Sequence, residues 1–163
     1  ARLAQRAAPD KRVIGVARFS DPNVLERLKR WGIETLNADL LDRAAIASLP
    51  AEHQLDISTV MPGMQGKGIR MKGLLDIPAL AIGADHVTFH ASDGKYSACL
   101  TLQKAREHGV FVYELDGAAL PESKGGPFRL VTPGLGDLCA NVKGVSRIEV
   151  TIGTGTDTRP TNC

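Results

Sequence analysis

Arg129 and Lys143 carry the most suggestive chemistry in this 163-residue chain. Arg129 follows Gly125 and Gly126 and alternates with Phe128 and Leu130 in a short apolar run, so its side chain leaves the apolar face of a strand. Lys143 stands just before the last alternating run, 145–152. Gly125 and Gly126 let the backbone turn tightly and approach a neighbour or a ligand closely. Two cations at strand ends beside a glycine turn suit a phosphate or a similar small anion. The competing expectation is that both are exposed strand-end charges paired with Glu149 or Asp137.

The other reactive residue types give weaker patterns. Cys99, Cys139 and Cys163 include no Cys-x-x-Cys pair, so no metal-ligand set is assigned and no structural zinc is expected. Their odd number argues against a disulfide framework. Cys99 reads as a buried structural thiol. Cys139 is expected to be the exposed one, and Lys143 is the cation near enough in sequence to lower its pKa. His86 and His90 are four residues apart, but in a strand they share a face while lying far apart, so they are not read as metal ligands. His108 precedes Gly109 at a helix end, where a cation suits the dipole. There is no Gly-x-Ser-x-Gly nucleophile elbow. Asp157 and Arg159 in the tail are expected to pair with each other.

The elements that must hold these residues differ along the chain. Residues 12–17 form a short apolar strand. Ser20 or Asp21 caps a helix that opens on Pro22, with Val24, Leu25, Leu28 and Trp31 on one face and Gly32 as the stop. A second strand spans 33–37, and Asp42 caps a short helix ending before Pro50. Residues 61–73 hold four glycines and a proline and read as a loop, followed by an apolar segment that Pro78 ends. The remainder is mostly strands. Residues 86–90 and 96–100 flank the turn Ser92-Asp93-Gly94. Residues 101–108 are helical, and strands follow at 110–115, 128–131 and 145–152, with a Thr- and Gly-rich surface tail after 153.

Composition agrees with an ordinary globular protein: 43% hydrophobic and 23% charged, with only 4% aromatic, so packing rests on Leu, Ile, Val and Ala. A net charge of +2 gives no ground for a nucleic-acid partner. The cluster Arg2, Arg6, Lys11 and Arg12 reads as a solvated tail. No apolar run is long enough for a membrane span and no signal-peptide pattern is present, so the cytoplasm is the expected location and no membrane partner is expected.

The order Ser92-Asp93-Gly94, Val112-Tyr113-Glu114-Leu115-Asp116-Gly117, Leu120-Pro121 and Gly125-Gly126-Pro127-Phe128-Arg129-Leu130-Val131-Thr132-Pro133-Gly134 resembles the molybdopterin-binding oxidoreductase domain of the sulfite oxidase family. So does Val142-Lys143-Gly144-Val145-Ser146-Arg147-Ile148-Glu149-Val150. The resemblance spans about 49–160. It implies a mainly β, α+β fold for 49–163, preceded by a β-α-β-like segment over 1–48. It also implies molybdopterin as the cofactor to consider, with the Val-Lys segment helping to hold its phosphate. Lys143, Arg129, Gly125 and Gly126 are the expected cofactor-binding residues.

Two departures bear on activity. The family binds molybdenum through one cysteine upstream of a segment resembling Gly68-Ile69-Arg70-Met71-Lys72-Gly73-Leu74-Leu75. Here the matching stretch is His53-Gln54-Leu55-Asp56-Ile57-Ser58, with Asp56 or Ser58 in place of the thiol. A hydroxyl or carboxylate is a different donor from a thiolate. The family's Trp after the Lys is replaced by Gly144. The expectation is a module that binds a pterin or small anionic ligand, or packs on a partner protein. A complete molybdoenzyme using Cys139 or a partner subunit as metal donor is the alternative. A third reading comes from Arg12-Val13-Ile14-Gly15-Val16-Ala17-Arg18, with Ile33-Glu34-Thr35-Leu36 and Ala38-Asp39-Leu40-Leu41-Asp42. This resembles a fragment of an NAD(P)-dependent epimerase or extended short-chain dehydrogenase, with Arg18, Asp39 and Leu40 at nucleotide-contacting positions. It lacks the glycine fingerprint that cradles a pyrophosphate and any Tyr-x-x-x-Lys pair.

Overall fold

The computed structural model describes residues 14–17, 22–30, 34–37, 50–75 and 83–160. The basic N-terminal cluster, the capping role of Ser20 or Asp21, Trp31 and the helix capped by Asp42 lie outside the described residues. The fold is α+β and mainly β. In chain order it runs β1 (Ile14–Ala17), α1 (Pro22–Arg30), β2 (Glu34–Asn37), β3 (Gln54–Asp56), β4 (Gly66–Arg70), α2 (Met71–Leu75), β5 (His86–Ala91) and β6 (Ser97–Thr101). It continues with α3 (Leu102–His108), β7 (Val110–Leu115), β8 (Ala118–Ala119), β9 (Arg129–Val131) and β10 (Val145–Thr151).

One sheet has the order β2-β1-β10-β5-β6, with β1 parallel to β2 and antiparallel to β10. The other has the order β3-β4-β7-β8, and β9 also pairs with β7. Alternation decides which side chains enter the core between them. Val87, Phe89 and Ala91 of β5, Ala98 and Leu100 of β6, and Ile148 and Val150 of β10 join Phe111, Tyr113 and Leu130 from the second sheet in one apolar cluster. The opposite face of β7 contributes Val110 and Val112 to a smaller cluster with Ile57, Leu120 and Val131. A strand buried on both faces needs a continuous apolar run, which Val110-Phe111-Val112-Tyr113 supplies. Thr101 caps α3 by accepting from the Lys104 N–H. No helix among the described residues is long and apolar enough to cross a membrane.

The segment 61–73, expected as a loop, is largely ordered: β4 and α2 occupy most of it. Its glycines serve close packing. A β-carbon at Gly66 would overlap the Glu114 carbonyl oxygen of β7, and one at Gly68 would lie 3.0 Å from Val110 Cγ1. Glycine inside a strand here marks close approach of neighbours.

The outer face of the first sheet carries a polar cluster on β5 and β10. His90 Nε2 lies 3.0 Å from Glu149 Oε2 and His90 Nδ1 lies 3.1 Å from Arg147 Nη2. Arg147 can only donate, so Nδ1 accepts and the Nε2–H donates to Glu149, the arrangement of a neutral imidazole. Burial lowers the His90 pKa and Arg147 lowers it further, against the opposing pull of Glu149. Because the folded pKa lies below the unfolded one, the unfolded state binds more protons in the interval between them. The stability contributed by neutral His90 is present above the ordinary histidine pKa and is lost as pH falls toward the folded value. Denaturant midpoints should therefore decrease below about pH 6.5, and His90→Gln should flatten that slope. An unchanged slope in the variant would remove His90 as its source.

Candidate functional site

The second sheet delivers Arg129 to the surface through its neighbours in sequence. Phe128 is buried and stacks on Phe111, with ring centroids 4.9 Å apart and planes 7° from parallel. Leu130 is fully buried. With both flanking residues anchored in the core, strand alternation sends Arg129 to the other side. Leu130 and Val142 exchange backbone hydrogen bonds of 2.8 and 3.0 Å, which sets Lys143 beside β9. Gly144 N–H donates to the Gly125 carbonyl at 2.8 Å and Val145 N–H to that of Phe128 at 2.8 Å, closing the glycine turn onto the Lys143 strand.

Gly125 brings the two cations together. It has a left-handed φ of 96°, and a β-carbon there would lie 2.9 Å from Lys143 Cγ and 3.3 Å from Arg129 Cδ. The stems of both side chains therefore converge on its open face. Gly126 is needed for a different reason: a β-carbon there would overlap the Leu120 carbonyl oxygen and sit 2.7 Å from its carbon. The expected roles of Gly125 and Gly126 as a tight turn and a close approach match this geometry.

Arg129 and Lys143 line an open cleft of about 400 Å³, together with Ala91, Asp93, Tyr96, Leu138 and Asn141. Arg129 Nε is buried and has no hydrogen-bond partner. Leaving such a group unpaired costs about 1–3 kcal/mol, which an acceptor reaching it would offset. The partners that would have made these cations ordinary surface charges are engaged elsewhere: Glu149 with His90 and Arg147, and Asp137 with Arg159. Asn141 Oδ1 accepts from the Thr132 N–H at 2.8 Å and the Thr132 hydroxyl at 3.2 Å, which leaves its NH₂ end without a partner among the described residues. Asp93 Oδ1 accepts from the N–H groups of Tyr96 and Lys95, and these bonds lower its pKa, so it stays ionised at neutral pH. Tyr96 donates its hydroxyl proton to the Cys139 carbonyl. Burial raises the Tyr96 pKa, and Asp137 and Asp157 add to that against Arg159.

Asp93, Tyr96, Leu138 and Asn141 were not anticipated as site residues. Ser92-Asp93-Gly94 signalled a hairpin, and only the packing of that hairpin against 138–143 makes its tip one wall of the cleft.

Cys139 was expected as an exposed thiol; it is disulfide-bonded, so its sulfur is neither a nucleophile nor a metal donor in this state. Cys99 is buried and free as expected, and its sulfur accepts from the Gly155 N–H at 3.3 Å. His86 and His90 are committed to different carboxylates, Asp85 and Glu149. The stretch 53–58 lies apart from the cleft. β3 is separated from β9 by β4 and β7, roughly 14 Å at the usual strand spacing. Asp56 caps the turn Ile57–Thr59 by accepting from the Ser58 N–H at 2.9 Å.

The residues present fit a molybdopterin cofactor in one part and not in another. The unsatisfied Arg129, Lys143 and the Gly125 turn suit its phosphate. A thiolate donor for the metal is absent from 53–58, and no group of three or more His, Cys, Asp or Glu suited to a metal occurs among the described residues.

No curated protein matches the chain. Nothing found supports the dehydrogenase resemblance of 12–42. The family model described as oxidoreductase molybdopterin-binding domain matches residues 39–156, more than two thirds of the sequence. The mainly β architecture and the Gly125–Lys143 framework agree with that match, and the chain belongs to the oxidoreductase molybdopterin-binding domain family.

Proposed function

We propose that this chain is a ligand-binding module of its family, taking the phosphate of a pterin, or a small anion of that kind, between Arg129 and Lys143, without molybdenum held by a thiolate of its own. The observation that carries the reading is the buried, unpartnered Nε of Arg129 at a cleft whose second cation has no ion-pair partner among the described residues. A phosphate oxygen would accept from the Arg129 guanidinium, and Lys143 would add a point charge from the exposed rim. Asn141 would donate from its amide end. The ionised Asp93 would face any N–H group on the remainder of the ligand and disfavour a second negative charge there. Molybdopterin, when bound, supplies the dithiolene that coordinates the metal; the residues of this chain would orient its phosphate and do no redox work.

The direct test is calorimetric titration of the purified protein with inorganic phosphate, paired with elemental analysis for molybdenum. Saturable phosphate binding that weakens with salt, with no stoichiometric molybdenum, is the expected result. Molybdenum at one equivalent would overturn the metal-free part. Absence of saturable anion binding would overturn the rest.

A further inference from the structure

The tail motif Asp157-Thr158-Arg159 makes more contacts than the internal pair expected of it. After β10 the chain crosses the outer face of the first sheet: Gly153 N–H donates to Asp85 and Gly155 N–H to the Cys99 sulfur, and Thr158 and Arg159 then grip β6 and the turn beside the cleft. Thr158 N–H donates to the Ser97 carbonyl at 3.0 Å, and the Ser97 N–H donates to the Thr158 hydroxyl at 2.8 Å. Arg159 then joins three partners. Its guanidinium is bidentate to Asp157, donates to the Cys99 carbonyl at 2.9 Å, and forms an ion pair with Asp137.

Asp137 is the point at which the tail meets the cleft. Its other oxygen accepts from the Cys139 N–H at 2.9 Å and so caps the turn Leu138–Ala140, which is followed directly by Asn141 and Lys143. The same turn is held from the cleft side by the Tyr96 hydroxyl on the Cys139 carbonyl. Arg159 itself does not line the cleft.

We infer that the segment 153–160 is a strap whose Arg159, through Asp137, positions the 137–143 wall of the anion cleft. Arg159 suits the task because a planar guanidinium can address two carboxylates and a carbonyl at once, whereas an ammonium acts as a single point charge. Its side chain is only 20% exposed, so solvent screening is reduced. The guanidinium is charged throughout the working pH range, and its bonds to Asp157 push its pKa further up. This inference rests on the anion-cleft reading only for its effect on binding; the clasp itself can be tested without a ligand.

The experiment compares the full chain with Arg159→Ala, Arg159→Lys and Asp137→Asn. Reductant is present, to remove the Cys139 disulfide as a second tether. Asp137→Asn keeps an oxygen to cap Cys139 while dropping the charge that Arg159 meets, so it reports even where Arg159→Ala does not fold. Backbone amide exchange is followed at Cys139 and Asn141, with Phe89 in β5 as the internal reference, and each protein is titrated with inorganic phosphate. Losing one charge-assisted bond should speed exchange of the turn about tenfold without changing Phe89. Phosphate Kd should rise severalfold, with Arg159→Lys recovering part of both effects. Unchanged exchange at Cys139 and Asn141 in Asp137→Asn would overturn the clasp. Faster exchange with unchanged phosphate Kd would overturn its positioning role. Faster exchange in a protein whose parent form binds no phosphate would overturn the anion-cleft reading while leaving the clasp standing.

Discussion

Arg129→Met is expected to weaken phosphate binding about 10- to 100-fold while leaving the protein at least as stable as the parent. The two halves of this result have one cause. Hydrogen bonds to a charged group contribute about 1.5–3 kcal/mol, and Arg129 is the better-buried donor at the cleft. In the free protein, however, its Nε is buried without a partner, at a cost of about 1–3 kcal/mol. Met keeps the length of the stem packed over Gly125 and removes the orphaned donor. A residue that costs stability when empty and contributes affinity when filled behaves as a binding residue. Lys143→Met should cost less, about 3- to 10-fold, because Lys143 is solvent-exposed. The checks are calorimetric Kd values and denaturant midpoints for the parent and both variants. Unchanged phosphate affinity in Arg129→Met would end the assignment of Arg129 as the anion donor. A large loss of stability would show that its role is structural.

Gly126→Ala is expected to destabilise the fold by about 3 kcal/mol or more, a large part of the stability of a domain this size. The added β-carbon meets backbone, the Leu120 carbonyl and, at 2.9 Å, the carbonyl carbon of Pro121, and backbone cannot rotate away as a side chain can. Leu120 is itself buried beside Val110, Val112 and Val131, so relief by shifting 120–121 would disturb the smaller core cluster. Gly94→Ala is the control. Gly94 also belongs to the cleft-side hairpin, with φ of 66°, but a β-carbon there meets nothing within 4 Å. It should cost only the left-handed strain of about 1–2 kcal/mol. Gly126 has no left-handed φ, so a loss no larger than that of Gly94→Ala, read from urea midpoints, would overturn close approach as the reason for glycine there.

How far the fold was legible in the sequence depended on whether the signal was local. The β5–β6 hairpin followed from Ser92-Asp93-Gly94, β7 from an unbroken apolar run, and α3 from its periodicity together with Gly109. In each case the cause lies within a few residues: a turn preference, an alternation, a cap. β4 failed this test. Gly66 and Gly68 look like loop residues until β7 and Ile57 are set against them, and their lack of a side chain is then what permits the contact.

The site divides along the same line. The proposal of Arg129, Lys143, Gly125 and Gly126 draws on a short-range pattern, a cation beside a glycine turn, and the lack of a cysteine over 53–58 is a fact of composition alone. Tertiary structure decided the rest. It placed Asp93 and Tyr96 of one hairpin against Leu138 and Asn141 of a distant turn, and turned Arg159 from half of a tail pair into a clasp on Asp137. It also drew Glu149 and Asp137 away from the cleft cations to other partners, His90 and Arg159. The physical reason is that a charge acts on whatever lies within a few ångströms of it, and for residues far apart in the chain that neighbour is chosen by how the sheets pack.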